Sequence, residues 1–425
     1  MGKRSALGLL ATAIAGVCVL AACSAIPKGD PSSASYDAFD QHDFDAVKVI
    51  SSGNSAQSDL AAATLLSMLG RDEEAAVALS LIIENERDAA IVSRARRSLS
   101  GVFVRQGKFR EAAEAMRANI AIQDETGVEA DRSSADFFDA VSSVGKMTRS
   151  GQHSGTIELL RDKAGLPRIS VDVNGVQDDA IIDTGAALST VTVSMANNMG
   201  LRQLGSGVDI GGSTGKSVSA GLAVADKVTV GGSVFVNVPF VVVPDEAMSF
   251  SQFDYHVTSI IGLPILSRLG RIEFSKANDR EMLSFQPSLS AASADEANMT
   301  TSGWEIVALG SLNEANVRQR FFLDTGARTS EVYDFAADTT PGLLNELQSK
   351  SRTQGGLGEV VESEHISVRS VRYALGGREF IHGPVFVVDD NGSFRHGSVG
   401  QDILSRFDKV TIDFGRMVIE FGSCE

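Results

Sequence analysis

The strongest constraint on this chain is a run that it writes twice. "IIDTGAALST" spans Ile181 to Thr190, and "FFLDTGARTS" spans Phe321 to Ser330. Each is an apolar, strand-like stretch that enters a turn at Asp-Thr-Gly-Ala. The segments downstream of each copy also correspond. "VTVGGSVFVNVPFVVVPD" (Val228 to Asp245) matches "VRYALGGREFIHGPVFVVDD" (Val371 to Asp390): strand, Gly-Gly turn, strand, Pro, apolar strand. "SIIGLPILSRLGRIEFSKANDREMLSF" (Ser259 to Phe285) matches "SVGQDILSRFDKVTIDFGRMVIEF" (Ser398 to Phe421). Both give apolar-Gly, a short helix holding "ILSR", and two strands around a polar turn. Asp183 precedes Gly262 by 79 residues and Asp324 precedes Gly400 by 76. A lone Asp-Thr-Gly is a weak signal, but two copies in matching repeats are not. The chain therefore carries a duplicated β-rich unit, residues 165–287 and 303–425, joined by a linker over 288–302.

The chain ahead of the duplication is different in kind. Residues 1–22 read as a signal peptide: a basic start (Lys3, Arg4), an apolar stretch and a small-residue exit. The exit "LAAC" resembles a bacterial lipobox, which implies lipidation of Cys23 and a membrane partner through that lipid. Ser24 after the cysteine points to the periplasmic face of the outer membrane. Cys18 leaves with the signal and Cys424 is next to last, so no disulfide framework or cysteine metal site is expected. Without the signal the count is 36 basic against 54 acidic residues, a net charge of −18. Such a surface repels nucleic acid. Residues 23–55, rich in Ser, Asp and Gly, read as a tether. Residues 56–147 are helical by composition and period. Within them "LLSMLGRDEEAAVAL" (Leu65 to Leu79) parallels "VFVRQGKFREAAEAM" (Val102 to Met116), with both Gly70/Gly107 and Ala75/Ala112 spaced 37 apart. The pattern resembles tetratricopeptide repeats; a plain helical bundle is the other reading. Such a module would dock a protein adaptor or substrate. Residues 148–164, beginning "TRSGQHSG", read as a second linker.

The two β-rich halves resemble retropepsin-like aspartic proteases, with "IIGLPIL" (Ile260 to Leu266) matching the apolar-apolar-Gly motif of that family. The resemblance implies a multidomain chain: an N-terminal α-helical, tetratricopeptide-like module, then a mainly-β duplicated acid-protease fold fused as a single-chain pseudo-dimer. It implies an endopeptidase acting on protein or peptide substrates without cofactor or metal. Asp183 and Asp324 would be the catalytic dyad. Two adjacent carboxylates share one proton, so one serves as base to a water and the other as acid to the carbonyl. Thr184 and Thr325 would bond across the pseudo-twofold axis, and Gly185 and Gly326 would allow the close approach. Ala186 and Ala327 stand where pepsin-like enzymes often carry a hydroxyl, which moves the expected pH optimum from strongly acidic toward neutral. Two Gly-rich segments occupy the substrate-flap positions, with Gly211, Gly212 and Gly215 in one and Gly355, Gly356 and Gly358 in the other.

The second half departs from the pattern in "SVG" before Gly400 and in Arg328 after the Asp-Thr-Gly-Ala. "GGSTGKS" (Gly211 to Ser217) imitates a phosphate loop, but Ile210 stands where the first Gly is required. The six histidines show no ligand spacing. Two alternatives stay open on sequence: a non-catalytic peptide-binding lipoprotein, and a homodimer in which each half pairs with its counterpart in a second chain.

Overall fold

The computed structural model describes residues 38–122, 128–205, 208–211, 217–277, 280–289, 293–356, 359–389 and 394–424. Residues 1–37, with Cys23 and the first part of the expected tether, lie outside them. A helical region is followed by a mainly-β region of two barrel-like halves.

Among the described residues six complete helices lead the fold: Phe44–Ile50, Ala56–Met68, Asp72–Asn85, Ala89–Gln106, Phe109–Ile120 and Val128–Ser142. Each packs on the next in sequence order. The two turns matched in the sequence are equivalent bond for bond. Gly70 and Gly107 both take positive φ, +66° and +74°. Gly70 N donates to Ser67 O and Arg71 N to Leu66 O; 37 residues later Gly107 N donates to Val104 O and Lys108 N to Phe103 O. This left-handed helix ending favours glycine. Ala75 and Ala112 are both fully buried, as close helix packing requires. Among the described residues no helix is long and apolar enough to cross a membrane.

Three segments read as linkers are structured. From residue 38 the expected tether is folded, because Phe39, Phe44 and Val47 supply a buried apolar face and Asp43 caps the first complete helix through Ala46 N. In the second linker, Thr148–Gly151 pairs with Ser233–Val236, and Gly155–Arg161 pairs with Arg280–Gln286. Its glycines serve close approach, not flexibility: a Cβ on Gly155 would stand 2.8 Å from the Phe285 ring. In the third, Met299–Ser302 pairs with Glu305–Ala308 around the turn at Gly303.

The halves repeat the same sheet logic. Each has a hairpin closed by two positive-φ glycines, Gly231-Gly232 and Gly376-Gly377, the backbone that a two-residue turn prefers. A shared antiparallel sheet welds the halves together. Arg271–Ala277 lies between Arg280–Gln286 and Lys409–Asp413, with Ile272 opposite Ile412, and Val418–Phe421 adds the outer strand.

The helical module is docked on this body. Arg105 donates to Gly303 O at 3.2 Å, and Arg268 donates to Arg105 O at 2.7 Å. Trp304, at the turn beside Gly303, stands among Phe109, Phe137 and Phe138, with ring centroids 5.5–6.4 Å away. Phe137→Ala should therefore cost about 3–5 kcal/mol, the usual range for a buried aromatic. It should also red-shift the emission of Trp304, the one tryptophan of the chain. Urea melts followed by fluorescence test this; an unchanged midpoint would mean that the aromatic cluster does not hold the module.

Candidate active site

Each Asp-Thr-Gly-Ala turn is threaded into a three-strand arrangement that the two halves share. In the first, Val176–Ile182 runs parallel to Ser259–Ile261, with Ile181 opposite Ile260 and Ile182 opposite Ile261. In the second, Gln319–Leu323 runs parallel to Gly397–Val399, with Leu323 opposite Val399. Asp183 N donates to Ile261 O and Asp324 N to Val399 O, each at 3.0 Å. The next contacts also repeat. Leu263 N donates to Ala186 O and Gln401 N to Ala327 O, each at 2.8 Å. Gly262 N donates to Ser189 Oγ at 3.1 Å and Gly400 N to Ser330 Oγ at 2.9 Å. A Cβ on Gly262 would strike the Leu188 carbonyl carbon at 2.6 Å. Glycine is required there by space, since its φ of −93° is open to any residue.

The two turns meet at the axis between the halves. Thr184 Oγ1 donates to Leu323 O at 2.6 Å and accepts from Thr325 N at 3.1 Å. Reciprocally, Thr325 Oγ1 donates to Ile182 O at 2.9 Å and accepts from Thr184 N at 3.0 Å. Four buried bonds thus cross the axis. They bring Asp183 and Asp324 face to face, each abutting the glycine of the opposite turn. A Cβ on Gly185 would lie 2.8 Å from Asp324 Cγ, and one on Gly326 would collide with Asp183 Cγ.

Both carboxyls are buried, at 0% and 3% exposure. Each inner oxygen is held by its own turn: Asp183 Oδ1 accepts from Gly185 N at 2.7 Å, and Asp324 Oδ1 from Gly326 N at 3.0 Å. Asp183 Oδ2 is buried and meets no well-placed donor among the described residues. A proton held on Asp324 would give it one. Burial lifts the Asp183 pKa to about 6, against the pull of the Gly185 amide. Burial first, and then the charge of Asp183, push Asp324 well above the ordinary carboxylate range. Two carboxyls with one shared proton near neutral pH can take a proton from a water and give one to a carbonyl oxygen.

Ala186 and Ala327 are buried beneath the turns and bring no hydroxyl to the carboxylates. Of the flap glycines, Gly211 ends the strand Val208–Gly211, paired with Ser217–Ala220. Gly355 and Gly356 end Leu347–Gly356, paired with Glu359–Val368. Gly212, Gly215 and Gly358 lie outside the described residues. Four supporting residues went unread in the sequence. Ser189 and Ser330 each stand six positions after their aspartate, a regularity visible in "DTGAALS" and "DTGARTS". Gln401 donates to Thr325 O at 2.7 Å and is held by Arg161 at 2.6 Å. No motif marks that pair.

The site is that of a two-lobed, paired-carboxyl fold. Residues 169–265 match the family model described as "Aspartyl protease", a span that includes Asp183 and is under half of the chain. A retropepsin-like aspartic protease from Rickettsia conorii, solved by crystallography, aligns at 20% identity over 33% of this chain and 96% of its own, with a TM-score of 0.21. No curated protein matches. The likeness to the protease family is at this general level.

Two outcomes are expected of the site itself. Thr184→Val leaves Leu323 O and Thr325 N without partners and should cost about 2–5 kcal/mol, while Thr184→Ser should stay within about 1 kcal/mol; paired urea melts decide. The second concerns pH. Asp183 keeps a proton in the folded state that the unfolded chain releases between about pH 4 and 6, so folding stability falls as pH rises through that window. The cost at neutral pH is about 3 kcal/mol. Asp183→Asn should therefore stabilise the fold at pH 7.5, with the gain largely gone at pH 4. Equal effects at both pH values would mean that the carboxyl is not held protonated.

Proposed function

We propose that the protein is an aspartic endopeptidase that hydrolyses peptide bonds of protein substrates with water activated between Asp183 and Asp324, one carboxyl from each half. The observation that carries this reading is the reciprocal Thr184–Thr325 crossing, which holds two buried carboxyls face to face within one chain. Pairing inside the chain also favours a monomeric site over one completed by a second copy. A purely binding fold gains nothing from two adjacent carboxyls whose burial costs stability.

The one-proton state is the working form. Below about pH 6 Asp183 is protonated and no base remains. Activity should rise as pH climbs through about 6 and fall again when Asp324 ionises. The hairpins that end at Gly211 and Gly356 open to admit the peptide. The helical module, with its two turns at a 37-residue spacing, is read as a short tetratricopeptide-like unit that presents a protein substrate or adaptor. The N-terminal pattern ending at Cys23 supports anchoring by lipid on the periplasmic side of the bacterial envelope, at the outer membrane.

The test is cleavage of a mixed peptide library across pH 4 to 8 by the protein from residue 24 onward, beside Asp183→Asn and Asp324→Asn. The expected result is cutting by the wild type near neutral pH and a loss of at least about a hundredfold in each variant. Equal rates in all three, or a maximum below pH 4, would sink the proposal.

A further inference from the structure

Behind the first Asp-Thr-Gly-Ala turn lies a cavity of about 290 Å³ that belongs to neither half alone. Its wall is drawn from all three parts of the molecule: Phe109 of the helical module, Leu188 and Arg268 of the first half, Trp304 and Met417 of the second. Most of the lining is apolar. The volume is at the small end of ligand pockets.

The charges around it do not balance. Arg105, Arg268 and Asp72 line the cavity, and its other lining residues are uncharged, so two positive charges face one negative. Asp72 is taken by Arg105: Nη2 lies 2.6 Å and Nε 3.0 Å from Asp72 Oδ1. The remaining Arg105 donors reach Gly303 O and Ser67. Among the described residues Arg268 has only carbonyl partners, Pro264 O at 3.0 Å and Arg105 O at 2.7 Å. Each of those nitrogens carries a second N–H that these bonds do not use. Burial lowers the Arg268 pKa to about 10, against the pull of Asp72, which is itself held by Arg105. Its counterpart in the second half, Arg406, bonds Ile381 O at the surface and does not line the cavity, so the repeat itself does not demand a cation here.

An apolar chamber with one guanidinium that makes no ion pair among the described residues suits a slender apolar molecule that ends in a single negative charge. We propose that this cavity binds a medium-chain aliphatic carboxylate, its chain against Trp304, Phe109 and Met417 and its head on Arg268. The ligand would also touch the catalytic turn from behind. Ala187 and Leu188 line the cavity, directly after Ala186, whose carbonyl accepts from Leu263 N at 2.8 Å. Occupancy therefore reports to the loop that holds Asp183, and binding itself needs no catalysis.

Trp304 is the chain's sole tryptophan and lines the cavity, so its emission reads occupancy directly. Decanoate, decanol and decyltrimethylammonium would be titrated, each below its aggregation threshold, into the protein from residue 24 onward. The same titrations would be run on Arg268→Gln and Arg268→Lys. Decanoate should shift the emission saturably and bind at least about tenfold more tightly than decanol, the scale of one charge-assisted pair. Arg268→Gln should bring decanoate down to the affinity of decanol, and Arg268→Lys should restore part of the gap. Three results would overturn the proposal: no saturable change with decanoate, equal affinity for decanoate and decanol in the wild type, or preference for the cationic chain. The wild-type comparison stands even where a variant fails to fold. Asp183→Asn should bind decanoate like the wild type, which keeps this test separate from that of the protease reading.

Discussion

Everything in the β-rich region is arranged around four hydrogen bonds that cross the axis between Thr184 and Thr325. Each hydroxyl both donates to a carbonyl of the opposite half and accepts an amide from it. Neither half can satisfy these groups by itself, because Leu323 O and Ile182 O end strands whose next residues turn toward the partner. The crossing is thus a reason for the duplication: two similar turns must face each other for either to be complete. The shared sheet, with Ile272 opposite Ile412, fixes the halves at the separation that the threonines need. Glycine at 185 and 326 is a consequence, since any side chain there would occupy the space of the opposing carboxyl.

The halves are alike in backbone and unlike in filling. Where the first half places Ile260 on the strand beside its turn, the second has Ser398, so "SVG" reads as a weakened motif. A larger residue stands on the neighbouring strand. Tyr333, three positions after Ser330, lies on the strand Glu331–Tyr333 that pairs with Gly397–Val399; the equivalent position in the first half is Thr192. Burial pushes the Tyr333 hydroxyl well above its ordinary pKa. The second half thus carries its large residue on the strand Glu331–Tyr333, where the first half carries it on Ser259–Ile261. Such exchanges are invisible when the two repeats are compared position by position.

The same contrast explains what the sequence made legible. The helical-then-β order and the duplication were readable because period and turn residues are local signals. The pairing of Asp183 with Asp324 followed from symmetry. The linkers were misread for one physical reason. Glycine and serine in "TRSGQHSG" suggest freedom, whereas Gly151 and Gly155 are there because strands or rings pass too close for a side chain. Composition cannot separate these two uses of glycine. Likewise Phe39, Phe44 and Val47 are too few to announce a packed helix, and only their burial against the rest of the molecule shows it. Arg161 and Gln401, 240 residues apart, meet through the fold alone.

The buried carboxyls pose the question of entry, and the second hairpin limits the answer. Arg352, on the strand Leu347–Gly356, is ion-paired to Glu331 of the barrel, and its guanidinium lies 5.0 Å from the Phe386 ring. Its side chain is 1% exposed, and Nε and Nη1 meet no acceptor among the described residues. Breaking such a pair leaves an uncompensated buried charge, at a cost of about 3–5 kcal/mol. Rotation of the whole hairpin would incur that cost on every opening. Bending beyond Arg352 would leave the pair in place, because the strand pairs from Thr353 to Gly356 lie between it and the tip. The base of the hairpin therefore belongs to the rigid frame with the dyad. Any movement of this hairpin that keeps the pair intact is confined to the four residue pairs from Thr353 to Gly356.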